Sequence, residues 1–346
     1  MLFYQDSMLL FYIGLLILSI GFGAVKGNII PLLGDLYARN WILKDEAFSL
    51  YYMAINVGAF LGAFVIAGTF ETYGFISMII VSLFFLFIYL FIFFFYKKHI
   101  ATIEKQHTIK EKIVRKEVVS FKWNLVLLFL TILVITSFWL AFEFGSSIWF
   151  SFKNNIQKHT ETVSVLGMDL SIDAITTNLN FVFILLLGIP IIHYWTLRAA
   201  RNKTVSPFYK FGFGIFFLAI SYVVIYYAMK PYNFEIDSFN SSSIAFLLIL
   251  VFAIQAFAEM FIAPIGLSFV DSLASRKYRS TTMGIYFASI PLFQKYFFQF
   301  TNELDSTEAL INLLINISFY LFITAFLILL FKEELREIIR KLLYRN

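Results

Sequence analysis

Nine stretches of about twenty consecutive apolar residues run through this chain, and nothing else in it limits the fold so tightly. A helix of about 20 residues is long enough to cross the hydrocarbon core of a bilayer. The stretches lie near 8–31, 47–69, 75–96, 124–149, 175–197, 209–229, 243–270, 281–301 and 308–331. Each is predicted to be a helix, because lipid offers no partner to backbone amides and carbonyls, and the runs do not alternate as barrel strands do. The expected class is an all-α membrane protein with about nine transmembrane helices. Composition agrees: of 346 residues 60% are hydrophobic and only 14% charged, outside the usual range of soluble domains. The opening MLFYQDSMLLFYIGLL has neither a basic start nor a small-residue cleavage site, so the first stretch is expected to be retained as a span.

Lysine and arginine set the expected orientation. Segments 97–122, 196–210 and 275–279 and the tail KEELREIIRKLLYRN are basic, whereas 71–74, 231–243 and 302–309 are neutral or acidic. Basic connections stay on the cytoplasmic side. An odd number of spans with a cytoplasmic C-terminus then puts the N-terminus outside. This alternation also accounts for the net charge of +5, so a nucleic-acid partner is not implied. Segment 97–122 is the long charged internal connection, and it is read as the boundary between a part with three spans and a part with six. It is either an amphipathic helix at the membrane surface or a solvated linker.

Several enzyme classes drop out. There is no cysteine, hence no disulfide, thiolate nucleophile or thiolate metal site. The G-x-S-x-G, Walker and H-E-x-x-H patterns are missing as well. No cofactor or metal is implied. A membrane-embedded lipid enzyme has no motif behind it.

What remains is the few polar side chains inside the apolar runs, which are costly there and usually functional. Lys26 lies near the end of the first stretch, ahead of Gly27 and Pro31, and is either a lysine snorkelling to the headgroups or a ligand. Asn56, with Gly58 and Gly62 behind it, is either a packing asparagine on a small-residue face or a site residue. Glu143, near Trp139, must be paired, protonated or facing water. Asn180 reads by itself as a residue near a helix end. Glu259 is the sharpest, the lone ionisable group of its stretch, followed by Pro264 and Gly266. These suggest a kinked helix lining an aqueous cavity, against the alternative of a protonated glutamate bonded to a neighbouring helix. Lys295 is read as an interfacial lysine rather than a gate.

Taken together, three blocks resemble the proton-dependent oligopeptide transporter family (POT/PTR) of the major facilitator superfamily. The family pattern G-x-G-x-x-K-P-N, G-D-L-Y, F-x-x-x-Y/F-x-x-I-N-x-G-A is met by Gly21 to Asn28, Gly34-Asp35-Leu36-Tyr37 and Phe48 to Ala59, with Gly27 in place of the proline. F-W-A-x-x-E-Q-x-x-S-S resembles Phe138 to Ser147, with Phe144 for the glutamine. G-E-x-x-x-S-P-x-G-L-S resembles Ala258 to Ser268. The family's L-N-P is similar to Leu179-Asn180-Phe181, and its M-x-x-W-F to Met283 to Phe287, with Tyr286 for the tryptophan.

The resemblance implies a major-facilitator-type bundle lacking the family's first three helices and their E-x-x-E-R motif. Residues 1–96 would be a partial N-terminal bundle, 97–122 a linker and 123–346 a six-helix C-terminal bundle. It also implies proton-coupled symport of di- and tripeptides in the inner (cell) membrane, with peptides, protons and the lipid bilayer as partners. Lys26 and Asn56 would serve the site from one side, Asn180 and Glu259 from the other, with Trp139 and Tyr286 lining it. Glu143 and Glu259 would couple or gate protons. The expectation is of a truncated protein inactive alone, or one whose missing helices come from a second chain. The alternative is a degenerate scaffold or binding protein without transport.

Overall fold

The computed structural model describes residues 8–37, 43–114, 121–157, 162–165, 168–201, 203, 205–232, 241–301 and 307–343. Helices α1 (Met8–Leu36), α2 (Lys44–Val114), α3 (Phe121–Gln157), α4 (Ile172–Ala200), α5 (Pro207–Met229), α6 (Ser241–Leu273), α7 (Arg279–Thr301), α8 (Thr307–Leu330) and α9 (Lys332–Leu343) account for nearly all of them. The apolar stretches at 47–69 and 75–96 both fall within α2. Only Gly74 interrupts it, at φ 80°, ψ −178°, a left-handed backbone that glycine adopts without a Cβ penalty. The expected four-residue connection at 71–74 is thus a one-residue kink.

Seven described stretches are long and apolar enough to cross a membrane by length and composition: 8–36, 68–98, 125–145, 179–200, 207–229, 246–273 and 311–330. Helix α7 and the first arm of α2 carry more polar side chains, among them Asn56, Thr69, Gln294 and Lys295.

Two connections differ from expectation. Helix α2 runs on to Val114, so the first part of segment 97–122 is helical and continuous with its span; 115–120 lie outside the described residues. Between α3 and α4 the chain forms an antiparallel hairpin, β1 (Thr162–Val165) with β2 (Met168–Ser171), which the apolar pattern of the sequence does not foretell. Thr162, Val163 and Val165 supply the β-branched residues that favour strand.

The core lies around α5 and α6. Serine and proline open α5: Ser206 Oγ accepts from the Phe208 amide at 3.3 Å, and Pro207 takes the first helical position, where no amide is needed. Leu218, Tyr222 and Ile225 of α5 pack with Val251, Ala258 and Ile262 of α6, and with Ile311 and Leu314 of α8. Lipid gives no hydrophobic gain for bringing apolar helices together, so small residues and interhelical hydrogen bonds carry the contact. The Tyr222 hydroxyl donates to the Ala141 carbonyl of α3, and Ser318 Oγ of α8 donates to the Ala219 carbonyl at 2.9 Å.

By contrast, the first two-thirds of α1 and the second arm of α2 present apolar side chains all round, with Phe22, Phe87 and Phe95 all more than 60% exposed. A helix that is apolar on every face belongs against lipid or further helices.

Candidate functional site

Of the polar residues that the sequence singles out, Asn56 and Asn180 gather about Glu259. Its carboxylate lies midway along α6 and is 3% exposed. The Tyr52 hydroxyl, from α2, donates to Oε1, and Asn180 Nδ2, from α4, donates to Oε2 at 3.0 Å. One turn beyond Tyr52, Asn56 is buried, its Nδ2 donating to the Tyr52 carbonyl at 2.9 Å, and this side-chain bond ties down the turn that carries Tyr52. Asn180 is therefore not at a helix end: it sits about two turns into α4.

Close packing lets α2, α4 and α6 meet there. Met53 of α2, Ile184 of α4 and Met260 of α6 form a small cluster beside the carboxylate. A Cβ at Gly188 would lie 2.8 Å from Met53 Sδ and 3.2 Å from Met260 Cε.

Helices α3 and α7 supply the other side. Tyr286 is buried, lies within electrostatic reach of Tyr52, and neighbours Trp139. Trp139 is held edge-on between Phe138 and Phe142. One buried polar atom here, Asn180 Oδ1, has no hydrogen-bond partner among the described residues, while the Trp139 indole N–H faces the Tyr286 hydroxyl. Burying a polar group unpaired is costly, so Asn180 Oδ1 points to a ligand or water. Glu143, one turn beyond Trp139, pairs with Gln294 of α7.

Lys26 reaches this region from α1. Its Nζ lies 4.6 Å from the ring centre of Phe22 and 5.4 Å from that of Phe287, the residue after Tyr286. It makes no ion pair with Glu259. A cation on α1 and an anion on α6 therefore stand apart, each held by its own neighbours. Lys295 is exposed, in keeping with an interfacial lysine.

A second constellation was not foreseen from the sequence. Where the basic connections lie, the start of α2 and the end of α1 are clamped to α5, α6 and α7 by ion pairs. Arg279 binds Asp271 in bidentate fashion, at 2.7 Å to Oδ1 and 2.6 Å to Oδ2, and also pairs with Asp35 of the G-D-L-Y block. Lys44 Nζ lies 2.8 Å from Asp271 Oδ2 and 2.7 Å from Ser272 Oγ. Beside them, Asp45 accepts from Lys210 Nζ and Ser268 Oγ, both at 2.7 Å.

Burial raises the affinity of Asp45 for a proton, but Lys210, Ser268 and Lys44 outweigh it and hold the carboxyl below the usual range. Desolvation works against the charge on Arg279 as well, and the carboxylates of Asp271 and Asp35 reverse it, raising its pKa. At neighbouring Glu46 burial prevails instead: it raises the pKa against a backbone hydrogen bond and the attraction of Lys210, and Oε2 is buried without a hydrogen bond among the described residues. The signal in the sequence was the charge of Asp35 and Asp271 at helix ends facing basic connections, but their pairing needs the folded chain.

Gly34 shows how tightly this clamp is built. A Cβ there would overlap the Asp271 carboxylate and the Arg279 guanidinium, so the first residue of G-D-L-Y must lack one for α1 to approach.

Comparison with known proteins places this arrangement in a family. The model of the POT family matches residues 3–124 and 97–313. Dipeptide and tripeptide permease A of Pectobacterium carotovorum is 23% identical over 322 residues, covering 80% of this chain and 61% of the permease. Peptide transporter YePEPT of Yersinia enterocolitica is 22% identical over 345 residues, covering 82% and 66%. The chain thus spans under two-thirds of the length of these relatives. Among solved structures, a peptide transporter POT in complex with sulfate superposes with a TM-score of 0.57 at 19% identity, over 84% of this chain and 68% of the other. A POT family transporter in complex with a thioalcohol-conjugated peptide gives 0.58 at 18%, over 89% and 73%. These likenesses establish the fold, the expected major-facilitator-type helical bundle. The family match along most of the chain and the shared bundle together show that this chain belongs to the POT family.

Proposed function

We propose that the region around Glu259 binds the amino group of a di- or tripeptide and that the chain takes part in proton-coupled peptide transport by alternating access. The observation that carries this reading is the buried carboxylate of Glu259, held by Tyr52 from one part of the chain and Asn180 from the other. A zwitterionic peptide needs an anion for its ammonium and a cation for its carboxylate, and Lys26 offers the second. The unpartnered Asn180 Oδ1 supplies an acceptor for a peptide N–H, one of the few convergent polar groups by which a binding site fixes its ligand. Binding between helices of two halves is how secondary transporters generally arrange their sites. Relatives named as dipeptide and tripeptide permeases support peptides as the substrate class.

In this reading the basic end faces the cytoplasm, and residues 1–96 and 123–346 act as two bodies. Glu143 shares proton transfer with Glu259. The charge clamp at the basic end closes the site from that side, and its opening releases substrate. The exposed apolar faces of α1 and of the second arm of α2 support a requirement for additional helices before transport is complete. The test is uptake of radiolabelled dialanine into proteoliposomes under an imposed proton gradient. Uptake abolished by Glu259→Gln supports symport. Dialanine that raises the melting temperature without any counterflow supports the second reading, a binding protein on a transporter scaffold, which the same exposed faces favour. Neither uptake nor a thermal shift sinks both.

A further inference from the structure

Away from Glu259, at the basic end and on the outer face of the bundle, the structure has a cavity of about 680 Å³ between α4, α5, α6 and α9. Its two ends differ in chemistry. At the end away from α9 it is floored by aromatic and apolar side chains, Phe213, Phe257 and Phe261 among them, which pack tilted at 4.9 to 5.9 Å. At the other end it is rimmed by Arg198, Lys332 and Arg336, with Glu333 as the single carboxylate. Glu333 lies 3.6 Å from Arg336, which leaves the rim with a net positive charge. Arg198 is fixed rather than floating: its Nη1 donates to the Tyr194 hydroxyl at 3.2 Å and its Nε to the Lys203 carbonyl at 3.2 Å.

Helix α9 explains why the rim sits at a bilayer surface. Along it Leu335 and Ile338 fall on one face and Glu333, Arg336 and Glu337 on the other, the pattern of a helix lying in the interface plane. It follows α8 after a single residue, so the cations of its first turns, Lys332 and Arg336, rim the cavity.

We infer that this cavity binds an anionic phospholipid, its phosphate held by Arg198, Lys332 and Arg336 and one acyl chain laid along the floor at Phe213, Phe257 and Phe261. A soluble anion would use the rim and leave the apolar floor empty; a neutral lipid would use the floor and leave the cations uncompensated. Only a molecule with a phosphate head and a hydrocarbon tail fits both. Basic pockets between helices at the membrane surface are the usual seats of such headgroups. The site shares no residue with the Glu259 region, so it stands whether or not peptide is transported.

The experiment titrates the delipidated full chain in neutral detergent with dioleoyl-phosphatidylglycerol or dioleoyl-phosphatidylcholine and reads bound lipid by native mass spectrometry. The expected result is a preference of roughly thirtyfold for the anionic lipid, from a rim with two uncompensated cations, lost in Arg198→Gln/Lys332→Gln/Arg336→Gln. Lys230→Gln, at the opposite end of α5, keeps it. Should the triple variant fail to remain monodisperse, Ile191→Trp, which fills the groove and leaves every charge in place, is expected to lose lipid as well. Equal binding of the two lipids overturns the proposal, as does a preference that survives Ile191→Trp. So does competition by sn-glycerol 3-phosphate at equal concentration, which would make the site one for a free phosphate.

Discussion

Tyr52 of α2 and Glu259 of α6 are joined by a hydrogen bond across 207 positions of sequence, the hydroxyl donating to one oxygen of a carboxylate whose other oxygen accepts from Asn180. The bond links the part of the chain before the long α2 extension to the part after it, at a carboxylate that is buried. Replacing Tyr52 with phenylalanine removes the donor and keeps the ring. The folded state is expected to lose about 1–3 kcal/mol, the cost of stranding a buried acceptor, seen as a lower melting temperature in detergent. Glu259→Gln keeps the shape and one acceptor, so it should melt closer to the parent while losing any thermal shift with dialanine.

Breaking the charge clamp should cost more. Asp271 has a side chain that is 0% exposed, and Arg279→Leu would leave it with Lys44 alone. Removing one partner of a buried pair typically costs about 3–5 kcal/mol, whereas removing both can be close to neutral. Arg279→Leu is therefore expected to lower the melting temperature strongly, and Arg279→Leu/Asp271→Leu less than Arg279→Leu alone. A double variant worse than the sum of the singles would contradict the pairing.

Glycine positions give a test of geometry without charge. Gly34→Ala forces a methyl into the Asp271–Arg279 pair, and overpacking of this kind costs about 1–3 kcal/mol. Gly21, Gly58 and Gly62 have open space where a Cβ would go, so alanine at those positions should leave thermal stability unchanged or slightly raised. Equal effects at Gly34 and Gly58 would rule out the close approach of α1 to α6.

Acid and neutral pH should separate two adjacent carboxylates. The pKa of Asp45 is lowered in the folded protein, so the stability it adds is complete above its unfolded value of 3.8 and is lost as pH falls through the folded value. Asp45→Asn should be destabilising at pH 7 and converge on the parent in strong acid. Glu46 has the opposite sign: its raised pKa means that ionising it disfavours the folded state, a penalty that is absent below its unfolded value of 4.5 and complete above the folded one. Glu46→Gln should raise the melting temperature at neutral pH and have no effect below pH 4. Melting curves of the two variants from pH 3 to pH 8 check both.

Much of this protein was legible residue by residue. Runs of twenty apolar side chains force helices wherever lipid is the solvent, and the alternation of basic and acidic connections fixes which helix ends lie together. Lys26, Asn56 and Glu259 stood out because polar groups inside such runs are expensive. Departures came where local pattern is silent. Four polar-looking residues at 71–74 resolve into one kink because Gly74 alone turns the backbone, and the segment before α4 pairs as a hairpin that hydrophobic length does not announce.

Which residues meet was decided by tertiary structure. Asn180 read as a helix-end residue until α4 laid it against Glu259, 79 positions away. Asp35 and Arg279, 244 positions apart, were unremarkable charges near helix ends until α1 and α7 packed side by side. Periodicity and hydropathy act over a turn or a span, so the sequence by itself determined the helices, their polar exceptions and the family pattern. The ion-pair clamp and the shared carboxylate arise from long-range approach of helices through glycine-lined contacts, and only the folded chain brings those charges within bonding distance.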